Sequence, residues 1–207
     1  LSSTRRRYLS NFLAIALAIS GLQVIAISSA PTASALNWTD VTGPTGRAMD
    51  WSHIRTNNDG SVIGVVSQGV SQSNVGDLYL SRDSGASWTY TSSPTTPNYG
   101  LFRLAISGDG NIAIAADDSY IVKASYSGSA WSYSTLKWPG TSQRCAGYGP
   151  NFNSLATSTD GSKWVAGARD EGCVYTSSNS GADWSYANLG GTNFGSAISA
   201  DGTVRVT

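Results

Sequence analysis

The sequence has little charge, one histidine, two cysteines and no stretch with a convincing helical period. Charged residues make up 13% of its 207 residues, and Arg5, Arg6 and Arg7 belong to an N-terminal leader. No basic stripe remains in the rest of the chain, so nucleic-acid binding is not expected. His53 and the two cysteines lack the spacing of a metal site, and no motif predicts a cofactor. The 23 glycines and the many Ser, Thr, Trp and Tyr residues favour short strands and tight turns, which predicts an all-β fold.

The first 35 residues have the pattern of an export signal. Three arginines at 5–7 are followed by an apolar run, Leu13–Ile27, and by the triplet Ala33–Ala35, which predicts cleavage before Leu36. The stretch Thr4–Ser10, TRRRYLS, also fits twin-arginine export, but a basic start of this kind serves the general secretory route, which is favoured. An uncleaved anchor is disfavoured, because small and polar residues interrupt the roughly 20-residue apolar stretch that a bilayer span needs. We therefore expect a secreted, periplasmic or cell-surface protein without a membrane span.

One eight-residue frame, the octet, occurs three times along the chain. It is complete at Ser81–Trp88, SRDSGASW, has Asn for Asp at Ser177–Trp184, SSNSGADW, and keeps only Gly and Trp at Ala124–Trp131, ASYSGSAW. A serine hydroxyl and an acid or amide two residues later can accept hydrogen bonds from turn amides, and the glycine permits a positive φ. The tryptophan then opens the returning strand as a core anchor. The frame positions with this structural role are Ser81, Asp83, Gly85, Trp88, Gly128, Trp131, Ser177, Asn179, Gly181 and Trp184.

This Ser-x-Asp-x-Gly-x-x-Trp frame resembles the Asp-box, or BNR repeat, of sialidases, other glycoside hydrolases, sortilin-type receptors and Ycf48-like photosystem assembly factors. In those families the box is a structural turn in a blade of a β-propeller, usually remote from the binding site. The resemblance therefore implies a β-propeller of four-stranded antiparallel blades. It implies no particular activity.

Four Asp-Gly pairs mark a second repeat, at Asp59, Asp109, Asp160 and Asp201. Each pair lies between apolar or alternating runs, which predicts a hairpin, and their spacings of 50, 51 and 41 residues fit one four-stranded blade per unit. Within a repeat domain at 36–207, the predicted units are blades at about 50–92, 100–137 and 152–188, part of a fourth at 193–207, and an orphan strand at 38–42. Propellers close with about four to eight blades, so we expect a fragment of a larger propeller, or a chain that associates to cover its edges.

The two cysteines, Cys145 and Cys173, fall in the same repeat. In an exported protein an isolated pair is most simply a disulfide that ties a loop to a neighbouring strand. Two free buried thiols are the alternative.

The Asp-Gly turns and the octets occupy one face of the predicted propeller, and the remaining loops form the opposite face, where ligands are expected. Carboxyl groups of this loop face could act as acid and base or nucleophile in glycoside hydrolysis. The candidates are Asp117, Asp118, Asp170 and Glu171. The favoured alternative is that they are solvated loop charges.

Basic and aromatic residues of the same loops form a second group of candidates. Arg47, Arg144 and Arg169, together with Tyr148, could bind an anionic sugar or a peptide carboxylate, or could be solvated surface residues. His53 lies inside a strand with no nucleophile pattern nearby, which indicates a structural role. With repeats but no catalytic constellation, the sequence predicts an exported, non-catalytic propeller that binds a protein or carbohydrate ligand through its loop face. The alternatives are the N-terminal part of a sialidase-like or other glycoside hydrolase, and a Ycf48-like assembly factor.

Overall fold

A computed structural model describes residues 44, 50–68, 76–92, 100–117, 120–137, 152–168, 172–191 and 195–206. The regular secondary structure of these residues is entirely β-strand, as the composition predicted. Nothing in the described ranges forms a helix long and apolar enough to cross a membrane. The predicted leader, residues 1–35, and the predicted orphan strand, residues 38–42, lie outside the described residues.

Twelve strands form three four-stranded antiparallel sheets, in which the strand order follows the order along the chain. Blade 1 consists of β1 (Asp50–Thr56), β2 (Ile63–Gln68), β3 (Asp77–Ser81) and β4 (Thr89–Ser92). Blade 2 consists of β5 (Arg103–Ile106), β6 (Ile112–Ala116), β7 (Tyr120–Tyr126) and β8 (Trp131–Lys137). Blade 3 consists of β9 (Phe152–Thr157), β10 (Trp164–Ala168), β11 (Cys173–Ser177) and β12 (Ser185–Asn188). A hairpin of β13 (Ala197–Ile198) and β14 (Arg205–Val206) begins blade 4. The predicted fold class, with three four-stranded blades and part of a fourth, is confirmed.

The first strands of the four sheets lie side by side, with β5 between β1 and β9, and β13 next to β9. This is the arrangement of a propeller, in which the innermost strands surround a common axis. Each sheet therefore has one face toward the preceding blade and one toward the following blade. We call these the front face and the rear face.

The junction between blades 1 and 2 and the junction between blades 2 and 3 are hydrophobic cores. Side chains alternate between the two faces of a strand, so a blade contributes to the core on each side of it. At the first junction the rear of blade 1 packs on the front of blade 2, through Val66, Leu78, Leu80, Leu104 and Val122. At the second junction the rear of blade 2 packs on the front of blade 3, through Ile114, Ile121, Leu155, Trp164 and Tyr175. The strand β6 reads Ile-Ala-Ile-Ala-Ala because both of its faces are buried.

In blades 2, 3 and 4 the Asp-Gly turn between the first two strands is held by a serine as well as by the aspartate; in blade 1 Asn57 takes the place of the serine, and its Oδ1 accepts the amide of Val62 at 2.9 Å. In blade 2 the Ser107 hydroxyl donates to Oδ1 of Asp109 at 2.6 Å, and the same oxygen accepts the amide of Asn111 at 2.9 Å. Gly110 has a φ of +72°, which glycine adopts without strain. Blades 3 and 4 repeat the serine-to-aspartate bond at 2.6 Å. The Asp-Gly pair alone predicted the hairpin but not this serine.

Backbone hydrogen bonds link these turns from one blade to the next. The amide of Asn58 donates to the carbonyl of Gly108 at 3.2 Å. Asp109 N–H donates to the carbonyl of Thr159 at 2.9 Å, and Thr159 N–H donates to that of Ala200 at 2.8 Å. We call this series the turn row. It fixes the spacing of the four blades along one face of the molecule.

The octets lie beside the Asp-Gly turns, on the face where the sequence placed them. In blade 1 the amide of Ser84 donates to the carbonyl of Ser61 at 3.0 Å, and in blade 3 the amide of Ser180 donates to that of Ser162 at 2.8 Å. In blades 1 and 3 both kinds of turn therefore lie on the same side of the molecule.

The octet tryptophans differ in burial. Trp184 is 8% exposed, and its ring centroid lies 5.9 Å from that of Trp164 in the second junction. Trp88 is only half-buried, so the prediction that it anchors the core is wrong in extent. Trp184 packs on Trp164 within the core between blades 2 and 3, whereas the position of Trp164 is occupied by the smaller residues Ile63 in blade 1 and Ala113 in blade 2.

A pair of glycine substitutions tests this packing. Gly181 and Gly128 hold the same octet position and have φ values of +86° and +92°. A Cβ at residue 181 would overlap the ring of Trp164, whereas a Cβ at residue 128 would meet nothing within 4 Å. We expect Gly128→Ala to cost about 1–2 kcal/mol for the left-handed backbone. Gly181→Ala should cost about 1–3 kcal/mol more for the overlap. Urea unfolding measures both, and equal losses would contradict the packing of Trp164 on the octet.

Candidate functional site

Most of the loop residues that the sequence singled out lie outside the described residues. These are Arg47, Asp118, Arg144, Cys145, Tyr148, Arg169, Asp170 and Glu171. Their proposed roles in catalysis or ligand binding stay predictions. Of the loop candidates, the structure describes Asp117, and it also describes Cys173.

Asp117 ends β6 and closes the short loop to β7. Its Oδ1 accepts the amide of Tyr120 at 2.6 Å, and its own amide donates to the carbonyl of Tyr120 at 3.1 Å. The residue is 2% exposed, so its carboxyl group is buried in the loop and not solvated, contrary to the favoured alternative. Hydrogen bonding of this kind gives Asp117 a turn-forming role.

Cys173, the first residue of β11, is fully buried and disulfide-bonded. The other cysteine of the chain is Cys145. Because Cys145 lies outside the described residues, the pairing of the two stays a prediction.

The aspartates of the turns are acceptors of hydrogen bonds and not proton donors. Hydroxyl and amide groups of neighbouring residues lower the pKa of Asp83, Asp160 and Asp201 to about 2. Bonds from Ser61 likewise lower the pKa of Asp59. A general acid needs a raised pKa near the working pH. These carboxylates therefore stabilise turns and are poorly suited to acid catalysis.

The octets of blades 1 and 3 place their acid at different positions. In blade 1 the carboxylate of Asp83 accepts the amide of Ser87 at 2.8 Å and its hydroxyl at 2.6 Å. In blade 3 Oδ1 of Asn179 accepts the amide of Asp183 at 2.9 Å, and the side-chain amide of Asn179 donates to Asp183 at 2.8 Å. The acid of blade 3 therefore stands four residues later in the octet than the acid of blade 1. In both octets the same two positions are joined by hydrogen bonds.

An open groove of about 410 Å³ that carries a charged side chain lies between blades 1 and 2. It lies at the outer edge of the two sheets, between β4 and the octet of blade 1 on one side and β8 and the octet of blade 2 on the other. We call it the rim groove. Its lining residues are Leu80, Arg82, Ser87, Thr89, Tyr90, Tyr126, Ser129, Ala130, Trp131 and Tyr133.

Arg82 is held firmly in the rim groove. Its guanidinium carbon lies 3.8 Å from the ring centroid of Tyr126 and 5.5 Å from that of Trp131. Its Nη1 donates to the carbonyl of Gly110 at 2.6 Å. A cation over two aromatic rings is a fixed positive charge, and each such contact contributes about 0.5–2 kcal/mol.

Tyrosines form the outer part of the same groove. Tyr90 is 60% exposed and Tyr133 is 37% exposed. Partial burial raises the pKa of Tyr133, while a hydrogen bond with the Thr89 side chain acts in the opposite direction. No carboxylate or amide side chain lines the groove among the described residues, so Arg82 gives it a positive charge.

The sequence predicted neither residue at the centre of this groove. Arg82 stands at a variable position of the first octet, and Tyr126 stands where the second octet should have its acid. The sequence shows only that the second octet lacks this acid. The structure shows that the tyrosine in its place supports a cation of the neighbouring blade. The sequence signal that could have indicated the groove is the replacement of the repeat's acid by Tyr126.

A second group of basic side chains lies on the innermost strands. His53 Nε2 accepts a hydrogen bond from Nη2 of Arg55 at 3.0 Å, so the proton is on Nδ1, which donates to the carbonyl of Phe102 at 2.9 Å. Burial, and then the charges of Arg55 and Arg103, lower the pKa of His53, against a raising effect of the Phe102 bond. Arg103 itself donates to the Asn153 side chain. These contacts tie neighbouring blades together near the axis.

No three His, Cys, Asp or Glu side chains of the described ranges lie close enough together to hold a metal ion.

The comparisons with known proteins define the fold. No known protein family and no curated protein matches the chain. Among solved structures the chain is similar to U3-55K, with a TM-score of 0.52 and 14% identity over 75% of this chain and 43% of that one. Ycf48 bound to a D1 peptide has a TM-score of 0.48 at 14% identity, over 67% and 39% of the two chains. The WD40 repeats of RRP9 have a TM-score of 0.47 at 16% identity, over 68% and 40%. The chain thus spans less than half the length of each, and the likeness to U3-55K shows a partial β-propeller fold.

The octets of blades 1 and 3 predict a compensating pair of substitutions. Asp83→Asn should destabilise the protein, because the Ser87 amide and hydroxyl lose their carboxylate acceptor. Adding Ser87→Asp rebuilds the arrangement of blade 3 and should recover most of the loss. Ser87→Asp alone should destabilise, because it sets two carboxylates against each other. Urea unfolding of the four proteins gives the coupling energy, and purely additive effects would contradict the equivalence of the two turns.

The low pKa values of the turn aspartates predict acid sensitivity. Asp83, Asp160 and Asp201 titrate near pH 2 in the folded chain, below the value of about 3.9 for an unfolded aspartate. Their stabilisation is therefore complete above about pH 4 and is lost as the pH falls toward 2. We expect the urea midpoint to fall over that range, and to fall less in Asp160→Asn. The same pH profile for the variant and the parent chain would show that Asp160 does not contribute.

Proposed function

We propose that the protein is an exported, non-catalytic β-propeller that binds a polypeptide segment carrying a carboxylate group, and that it does so in the rim groove. The observation that carries this proposal is Arg82, fixed over Tyr126 at the centre of an open aromatic groove. A preformed cation can bind a carboxylate without the cost of ordering a mobile side chain.

The composition of the groove favours a polypeptide partner. Tyrosine, tryptophan and arginine are the residue types enriched in protein interfaces and in their energetic centres. Tyr90, Trp131 and Tyr133 supply aromatic rings that carry a hydroxyl or an N–H group, and Ser87 and Ser129 add small hydrogen-bonding groups. An acidic peptide with an apolar side chain next to its carboxylate would complement both the charge and the rings.

The aspartates of the described turns support a non-catalytic role, since they are used as acceptors. The glycoside hydrolase alternative depends on Asp118, Asp170 and Glu171, which lie outside the described residues. Ligand binding through the loop face, by Arg47, Arg144, Tyr148 and Arg169, is a separate proposal that the rim groove does not require.

Two features support export. The first 35 residues have the pattern of a cleaved leader. The disulfide at Cys173 fits an oxidising compartment, such as the periplasm or the cell exterior.

Selection of random linear peptides on the full chain tests the proposal. We expect enrichment of peptides that combine an acidic residue with an apolar one. Tyr133→Ala should weaken their binding about tenfold, or about 1.4 kcal/mol. Tyr186→Ala is the matched control, because Tyr186 holds the same position in blade 3, is 45% exposed, and does not line the groove. Asparagine or glutamine in place of the acidic residue of the peptide should also abolish binding.

Three results would contradict the proposal. Peptide binding that is equally weakened by Tyr133→Ala and Tyr186→Ala would place the site elsewhere. Binding to a glycan array that depends on Tyr133 would replace the polypeptide by a carbohydrate. Turnover of fluorogenic sialosides or glucosides that is abolished by Glu171→Gln would make the protein an enzyme.

A further inference from the structure

The outer edge of blade 2 is a long strand that pairs on one side only. The strand β8 is the last of its sheet, and among the described residues it pairs with β7 alone. It has seven residues, whereas the outer strands of blades 1 and 3, β4 and β12, have four each. Residues 132–135 are all exposed. Short strands, prolines and charged side chains commonly protect a sheet edge from pairing, and the segment Trp131–Leu136 has none of these.

The hydrogen bonds of β7 show which of its residues bond toward β8. Successive residues of a strand direct their N–H and C=O groups to opposite sides. The amide of Tyr126 donates to the carbonyl of Asn111 at 2.8 Å, and the carbonyl of Tyr120 accepts the amide of Asp117 at 3.1 Å. Even-numbered residues of β7 therefore bond toward β6, and its odd-numbered residues bond toward β8.

The residues of β8 divide in the same way. The odd-numbered residues of β7 are paired with Ser132, Ser134 and Leu136, which use their backbone groups within the sheet. The intervening residues of β8 direct their N–H and C=O groups away from the sheet: Trp131, Tyr133 and Thr135. The first two of these also line the rim groove. In an added strand, the residues that bond to β8 would therefore place their side chains on the side of the rim groove.

Arg82 lies beside one of these positions. Tyr126 and Trp131 are opposite each other in the sheet, and the guanidinium carbon of Arg82 lies 3.8 Å and 5.5 Å from their ring centroids. The next place in this row belongs to the residue of an added strand opposite Trp131, at a Cβ separation of about 4.5–5.5 Å. A carboxylate there can reach Arg82. The place opposite Tyr133 faces an aromatic ring, which favours an aromatic or β-branched side chain.

We propose that the polypeptide partner binds as an added antiparallel strand on the outer edge of β8. Its acidic residue lies opposite Trp131, and an apolar residue two positions earlier in the peptide lies opposite Tyr133. This mode of binding rests on the proposed function, to which it adds the conformation of the partner and the order and spacing of its two recognition residues. Main-chain hydrogen bonds supply affinity in such a complex, and alternate side chains supply specificity.

N-methylation of the peptide tests the added strand. The probe is the peptide of highest affinity from the selection on the full chain, with its termini acetylated and amidated. We expect N-methylation at the acidic or the apolar residue to weaken binding about tenfold, because each amide loses a hydrogen bond to β8. The residue between them is the matched control, since its N–H points away from β8, and its N-methylation should leave binding nearly unchanged. A peptide with the acidic and apolar residues exchanged should bind about tenfold more weakly.

Amide hydrogen exchange of the full chain, measured by NMR with and without saturating peptide, tests the same contact from the protein. The amides of Tyr133 and Thr135 should exchange at least about tenfold more slowly with the peptide bound. Tyr186 and Asn188 hold the same positions on β12, and their amides also point outward, because the amide of Leu189 bonds inward to Gly172 at 2.9 Å. Exchange at these two control positions should not change.

The outcomes separate this inference from the proposed function. If no selected peptide depends on Tyr133, both are wrong. If binding depends on Tyr133 but N-methylation shows no alternation and exchange at Tyr133 and Thr135 is unchanged, the proposed function stands and the added strand is overturned. Tighter binding of the exchanged peptide would overturn the antiparallel order. Protection of Tyr133 and Thr135 that rises with protein concentration, without peptide, would show that β8 of a second copy occupies the edge instead.

Discussion

A blade of this protein is apolar on both faces, and one sheet cannot bury two faces by itself. Side chains alternate along each strand, so Val66 and Leu78 lie on the rear face of blade 1, while Val65 and Tyr79 lie on its front face. Each face must be covered by a neighbour. The junctions between blades are therefore the hydrophobic cores of the molecule, and the stability of each blade depends on the blades beside it.

This dependence also decides where binding surfaces can form. The inner parts of the sheets are buried in the junctions. Polar groups near the axis, such as His53 and Arg103, form hydrogen bonds with the next blade. The outer strands pack less completely, and here two blades diverge enough to leave the rim groove. Arg82 of blade 1 and Tyr126 of blade 2 are in contact across this groove.

Much of the fold follows from the sequence because turns are local. An Asp-Gly pair or an octet fixes its own hydrogen bonds within a few residues, so the hairpins and the order of the strands could be predicted. The groove and the burial of each octet tryptophan could not, because both depend on residues of another strand or blade. Trp88 and Trp184 hold the same position of the octet, and their burial depends on the residue at position 63 or 164 and on the packing of the neighbouring blade. The loop-face candidates, Asp117 excepted, lie outside the described residues.

The turn row has a consequence for how the chain can change over evolution. The connections between blades differ in length: β4 ends at Ser92 and β5 begins at Arg103, whereas β8 ends at Lys137 and β9 begins at Phe152. Yet the turns on the opposite face meet through backbone hydrogen bonds of 2.8–3.2 Å at every step. Because the step from blade to blade is set on the turn side, insertions and deletions on the loop side leave the architecture intact. The loop side is free to diverge in sequence and length while the turn side maintains a constant pitch.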